Sequence, residues 1–406
     1  MTTTIINKNK KSNVPNLRFP EFQGEWEKTK FGDIATGFDY GMNAAAKNYD
    51  GVNKYIRITD IDEASSTYTD KDIVSPDGVL TDNYLVNNRD ILLARTGAST
   101  GKSYLYKKSD GKLYYAGFLI RANVTTHDPY FVFSQLHTHR YWRWVSIMSA
   151  RSGQPGINSQ EYSSFPIYTT SIEEESKIAK LLSLLDERIA TQNKIIDKLQ
   201  SLIKGIMVEL QKQGVNKGTW KKVFLSDVLT ERNERNTNLF QVFSVSVSQG
   251  VVNQVDYLGR SFAAKDTSKY NVVYYGDLVY TKSPTGSFPY GIVKQSINLE
   301  NVAVSPLYGV YKPKSLAVGA YLHEYFMSEI NTHNYLHPLI QKGAKNTINI
   351  TNQRFLESRV PMPVNSNELL LISKLLYSLN AKIKHVQNTL QEYHKQKQYL
   401  LRQMFI

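Results

Sequence analysis

The chain has 406 residues, 41% hydrophobic and 12% aromatic, enough for two or three domains with their own cores and too much for a disordered tail. It has no cysteine, which excludes thiol catalysis, disulfide scaffolds and cysteine-ligated zinc or iron–sulfur centres, and fits a reducing compartment. Lys and Arg number 49 against 36 Asp and Glu, and the formal charge of +13 favours a polyanionic partner, nucleic acid before an anionic membrane surface.

The N-terminal stretch MTTTIINKNKKSN (1–13) is polar and basic, without the apolar centre of a signal peptide. No run of about 18 apolar residues follows anywhere, so no membrane span and a cytoplasmic location are expected. Strands are predicted at DILLART (90–96) and YYAGFLIRANV (114–124), and a helical stretch over 130–145. Between the strands lies GASTGKS (97–103). It resembles the phosphate loop GxxxxGK[ST] but has one residue too few between its glycines, and no helix follows it. A Gly-rich turn offering basic and hydroxyl groups to a phosphate is the expectation, not a nucleotide site.

A long amphipathic helix comes next. Ile178, Leu182, Leu185, Ile189, Ile196, Leu199, Ile203, Ile206 and Leu210 alternate by four and three, with Gln192 filling one slot, which is a heptad seam. Ser171 followed by Glu174 predicts a capping box at its start. About forty residues at ~1.5 Å each make a rod of roughly 60 Å. The segment GVNKGT (214–219) then reads as a linker.

Beyond the linker the chain repeats itself. Trp26 aligns with Trp220, Asp33 with Asp227 and Thr36 with Thr230, all 194 positions apart. NNRDILLARTGASTG (87–101) resembles YYGDLVYTKSPTG (274–286), and GQPGINSQEY (153–162) resembles KNTINITNQRF (345–355), with Ile157–Asn158 on Ile348–Asn349. Strands are predicted at 243–248 and 302–311, and helix at 318–336. The seam returns as Ile372, Leu376, Leu379, Ile383, Val386, Leu390, Tyr393, Lys397, Leu400 and Met404, after a second capping pair, Asn365 and Glu368. Lys397 and Tyr393 in the seam predict frayed or partner-bound C-terminal turns. The expected fold class is α+β: two tandem α/β recognition domains, 1–170 and 214–364, each followed by a long helix, 171–213 and 365–406, with an internal pseudo-twofold. The simplest arrangement pairs the two helices as a coiled coil within one chain.

No catalytic constellation accompanies this. GASTG (97–101) spells GxSxG but lies between two predicted strands and so makes no strand-to-helix nucleophile elbow; GxGxxG and EF-hand patterns are absent, as is the Asn-Pro-Pro-aromatic tetrapeptide of amino-methyltransferases. His137 with His139, and His333 with His337, lack a companion glutamate for metal catalysis and read as structural or surface histidines. The residues therefore describe a binding protein with no catalytic or metal site. A duplicated basic module matches the way dimeric proteins read two half-sites, here diverged so that the target is bipartite and asymmetric. In the first module the DNA-binding candidates are Tyr40, Asn43, Lys47, Arg57, Thr59, Arg95, Thr96, Ser99, Lys102, Ser103, Arg151, Gln154, Asn158 and Ser159. In the second they are Lys282, Ser283, Thr285, Ser287, Lys342, Lys345, Asn346, Asn349, Thr351 and Asn352. Asn and Gln suit adenine, Arg and Lys suit guanine or phosphate.

VPNLRFPEFQGEWE (14–27), the patterns RDILLARTGASTGK and GDLVYTKSPTG, the loop ending in Ile-Asn and the two long helices together resemble the specificity subunits of type I restriction–modification systems, from about residue 14 to the C-terminal LLRQMF. The resemblance implies that each recognition domain reads half of a split double-stranded DNA site and that the helices form an antiparallel spacer. It implies a non-catalytic chain without a cofactor of its own. The partners it implies are two modification subunits, which use S-adenosylmethionine to methylate adenine, and two restriction subunits, which use ATP and Mg. Leu181, Leu184, Ile195 and Leu202 flank the seam and fit a chain that needs its modification partners. The alternatives are a coiled-coil nucleic-acid-binding scaffold without a methylation role, and an enzyme using the 97–103 turn for a nucleotide.

Overall fold

The computed structural model describes residues 13–150, 154–342 and 348–406. The chain divides into two units, Met1–Thr191 with Thr389–Ile406, and Gln192–Asn388.

In the first unit the run Asp90–Ala94 is buried along its whole length, as its unbroken Ile-Leu-Leu-Ala stretch requires. It lies inside a four-stranded antiparallel sheet ordered Ala35–Tyr40, Leu119–Val124, Asp90–Ala94, Ser103–Leu105. The pair Glu27–Lys30 and Pro166–Thr169 ties the beginning of the module to its end. Asp128 caps helix Pro129–Gln135, and Thr138 caps His139–Met148. One helical stretch was expected here. The Thr138 hydroxyl accepts the Tyr141 N–H (3.3 Å) and starts a new helix instead. The strand predicted over 114–124 is also two, Leu113–Tyr115 and Leu119–Val124, with a turn at Ala116–Phe118. Trp26, Phe31, Phe131, Tyr141, Tyr162 and Phe165 form the fully buried aromatic core.

The second unit repeats the plan. Its sheet runs Leu229–Glu231, Gly309–Pro313, Leu278–Tyr280, Val293–Gln295, and its closing pair is Trp220–Phe224 with Arg359–Pro363. Helices Leu316–Tyr325 and Glu329–Leu336 follow, capped by Ser315 and Ser328. The repeat seen in the residues is thus a repeat of topology. One detail of the alignment changes. Ile157 and Ile350 are both buried just before a short helix, whose N-caps are Asn158 and Thr351. Asn158 therefore corresponds to Thr351, not to Asn349.

The long helices are Ile172–Asn216 and Ser366–Gln403. In the first unit, Ile178 and Leu182 share a core with Leu401, Met404 and Phe405, and Asp186 and Arg188 meet Lys397 and Tyr393. One number falls as the other rises, so the helices run antiparallel there. In the second unit, Ile203 and Met207 share a core with Leu369, Ile372, Leu376 and Ile383. The seam shifts by one residue at its end, because Met207 is buried where Ile206 was expected to lead.

Both capping predictions are half right. Ser171 accepts the Glu174 N–H (3.3 Å), but the Glu174 carboxylate takes Arg18 (2.7 Å from both Nε and Nη2) and the Thr170 hydroxyl (2.6 Å). Asn365 accepts the Asn367 N–H (2.8 Å), and Glu368 accepts the indole N–H of Trp220 (2.7 Å). Fraying at Lys397 is not seen: its Nζ lies 2.6 Å from Asp186 Oδ1, and the helix continues to Gln403. Among the described residues no helix is long and apolar enough to cross a membrane.

Candidate nucleic-acid interface

The turn after Asp90–Ala94 is built by glycines. Gly97 and Gly101 have φ of 72° and 94°, and a Cβ on Gly101 would sit 2.8 Å from Val145 Cγ1. Strand Ser103–Leu105 pairs back onto the strand that precedes the turn, so GASTGKS closes a β-hairpin through a single 3-10 turn at Gly97–Ser99 and opens no α-helix. Ser103 is buried inside that hairpin. Lys102 Nζ lies 3.1 Å from Glu63 Oε2.

A second loop docks onto this turn. Gly97 N–H donates to Pro155 O (3.0 Å), Ile157 N–H donates to Arg95 O (2.9 Å), and Thr96 bridges Gly156. Ser159 then reaches the edge strand, its hydroxyl donating to Phe38 O (2.6 Å) and its N–H to the Tyr40 hydroxyl (3.2 Å). The Arg95 guanidinium stacks 4.7 Å over the Tyr40 ring. Tyr40, Arg95, Thr96, Gln154, Asn158 and Ser159 are thereby brought to one edge, with Ser99 half-buried in the turn beside them. Asn158 is engaged as a helix cap, accepting the Glu161 N–H at 2.9 Å. Gln154 is exposed.

The remaining candidates of this unit belong to other segments of the chain. Asn43 and Lys47 are exposed, and Lys47 sits 3.7 Å from Asp77 on the pair Ala45–Asn48 and Val74–Asp77. Arg57 is held by Asp60 (2.8 Å) and Asp72 (3.1 Å), which raise its pKa, with Thr59 exposed beside it. Sequence reasoning missed Phe118, 59% exposed at the turn, whose carbonyl accepts the Arg95 N–H (3.1 Å). The Ala-Gly pair before it was the available signal for a turn.

In the second unit, Lys282 follows its strand with φ of 58° and is half-buried. Burial lowers its amine pKa, and the Glu231 carboxylate opposes that shift. Ser283 is exposed, Thr285 bonds the Ser283 carbonyl (3.1 Å), and the Ser287 hydroxyl donates to Glu329 (2.5 Å). Thr351 caps its helix through the Arg354 N–H (3.1 Å). Asn352 Nδ2 donates to Glu231 Oε1 (2.7 Å), and its carbonyl accepts the Tyr311 hydroxyl (3.2 Å). The backbones of Lys342 and Asn349 belong to the short pair Gln341–Lys342 and Ile348–Asn349. Arg151, Lys345 and Asn346 lie outside the described residues, as do the side chains of Lys342 and Asn349.

Of the candidate histidines, His137 is tied into the fold, while His139, His333 and His337 are exposed. His137 Nδ1 lies 2.9 Å from Phe133 O and Nε2 2.9 Å from Ser66 Oγ, and desolvation pushes the ring pKa down to about 4. His333 and His337 stack at 5.1 Å. Among the described residues no group of three His, Cys, Asp or Glu could hold a metal ion.

Residues 23–201 match the family described as the type I restriction modification DNA specificity domain. The chain is 28% identical over 203 residues to the type I restriction enzyme MjaVIII specificity subunit of Methanocaldococcus jannaschii, covering 49% of this chain and 44% of that protein. It is 27% identical over 216 residues to the putative type I restriction enzyme MjaX specificity subunit of the same organism, covering 51% and 50%. The chain spans about half the length of the curated relatives it matches. In fold it is similar to the type I restriction–modification S subunit from M. genitalium, with a TM-score of 0.64 at 11% identity, over 97% of this chain and 99% of that one. In its matched domain, in its relatives and in its duplicated α+β fold, the chain is similar to the specificity subunits of type I restriction–modification systems.

Proposed function

We propose that this chain selects the DNA sequence on which a type I restriction–modification complex acts. Each recognition domain, 1–170 and 214–364, reads one half of a bipartite, asymmetric duplex site. The long helices set the gap between the half-sites and dock two modification subunits. Methyl transfer to adenine from S-adenosylmethionine belongs to those subunits, and ATP- and Mg-dependent cleavage to two restriction subunits. Flipping the adenine out of the duplex likewise belongs to the partner's pocket. This chain contributes recognition and no catalysis, in the cytoplasm.

One observation carries this reading. The same strand order occurs twice, and in each unit the same two connections carry polar candidates: the turn after the buried strand and the loop before a short capped helix. The turn residues differ between units, Arg95 and Thr96 in one and Lys282 and Ser283 in the other, as two different half-sites would require. The net charge of +13 supplies the sequence-independent attraction to phosphate.

The test is the adenine methylome of cells expressing this chain with its cognate modification subunits, against cells lacking only this chain. A split motif that disappears with the gene is expected. An assembled complex that adds no new motif would leave a nucleic-acid-binding scaffold without a methylation role.

A further inference from the structure

Half-buried arginines in the first unit are engaged. Arg18 forks onto Glu174, Arg57 onto Asp60, Arg89 donates to Val124 O (2.6 Å), Arg121 to Leu85 O (2.9 Å) and Arg140 to Pro166 O (2.8 Å). Arg95 is the exception among the described residues. Its Nε is shut away from solvent without a hydrogen-bond partner, as are those of Arg140 and Arg354, but unlike theirs its terminal nitrogens make no hydrogen bond or ion pair with a described residue. A guanidinium left this way costs free energy until a ligand supplies acceptors.

Arg95 is also held still. Its N–H donates to Phe118 O (3.1 Å) and its carbonyl accepts the Ile157 N–H (2.9 Å), so the backbone cannot turn away. The Tyr40 ring lies under the guanidinium at 4.7 Å, and the Ser159 N–H fixes the Tyr40 hydroxyl at 3.2 Å. A phosphate contact needs only a positive charge, which a mobile lysine provides. Fixing the plane of the fork matters when the ligand presents two acceptors in one plane. The major-groove edge of guanine does so through O6 and N7.

We propose that Arg95 reads a guanine in the half-site bound by the first unit, with Tyr40 as the residue that positions its fork. This rests on the reading of the chain as a DNA-specificity subunit.

The experiment uses the full chain assembled with its modification subunits. Binding is measured to duplexes carrying each of the four bases at every position of the methylome-derived site. In the wild type, one guanine of one half-site is preferred. Arg95→Ala and Arg95→Lys both reduce that preference roughly ten- to a hundredfold while discrimination across the other half-site stays unchanged, which also shows that the variant is folded and assembled. Tyr40→Phe keeps the preference and Tyr40→Ala loses most of it. Arg95→Ala weakening all duplexes alike, with the salt slope falling by about 1, would identify a phosphate contact and overturn the proposal. Unchanged discrimination would overturn it as well. A wild-type complex without any split preference would instead remove the specificity reading beneath it.

Discussion

Lys397 Nζ and Asp186 Oδ1 lie 2.6 Å apart, and the same carboxylate accepts the Tyr130 hydroxyl. A lysine at a seam position is therefore neutralised in place, not released to solvent. The two side chains are only 21% and 29% exposed, so the pair stands between a surface ion pair and a buried one.

Asp186→Ala leaves both Lys397 and Tyr130 without their acceptor. It should cost about 1–3 kcal/mol, between the surface and buried limits. Lys397→Leu instead restores an apolar seam and leaves Asp186 with Tyr130, so it should stay within about 1 kcal/mol of wild type. Urea denaturation of the two variants measures the asymmetry. Equal losses would mean that the ion pair does not organise this part of the seam.

A second prediction concerns pH. His127 Nδ1 lies 2.8 Å from Glu175 Oε1, and that hydrogen bond raises the imidazole pKa against the opposing effect of burial; Glu27 adds to the rise and Arg89 opposes it. A folded-state pKa above the unfolded value near 6.5 adds stability that is fully present below that value and lost as pH rises through the folded pKa. His127→Gln should therefore lower Tm more at about pH 5.5 than at about pH 9. A difference independent of pH would exclude a charged His127–Glu175 pair.

A third prediction follows from the proposed spacer. One heptad inserted after Asp197, together with one after Gln391, preserves the alternation of seam residues such as Ile196, Leu199, Val386 and Leu390 while lengthening both helices. The recognised gap should widen and both half-sites should stay the same, read from the methylome. An unaltered gap would show that the helices do not set the spacing.

Much of the fold was legible because its signals are local. The heptad alternation, the Gly-rich turn and the run Asp90–Ala94 each express periods of a few residues. The breaks at Thr138 and at Ala116–Phe118 were missed because a cap and a turn fall between stretches that carry the same aromatic and apolar character on both sides. The candidate edge was legible only in part. Arg95, Thr96, Gln154 and Asn158 stood out as polar residues on turns, but Phe118 was hidden inside an apparent strand and Ser103 turned out to be buried.

The sequence by itself determined that the chain is one module used twice, each followed by a long helix, since repetition and periodicity are properties of order along the chain. Only the tertiary structure decided which residues meet. Ser159 and Tyr40 are 119 positions apart, and Arg18 and Glu174 are 156 apart. No local pattern shows that Glu174 leaves its capping role for Arg18, or that Arg95 alone among its half-buried peers keeps a fixed and unengaged fork. Those outcomes depend on how strands and loops close in space, where burial and the competition for hydrogen bonds determine each side chain's partner.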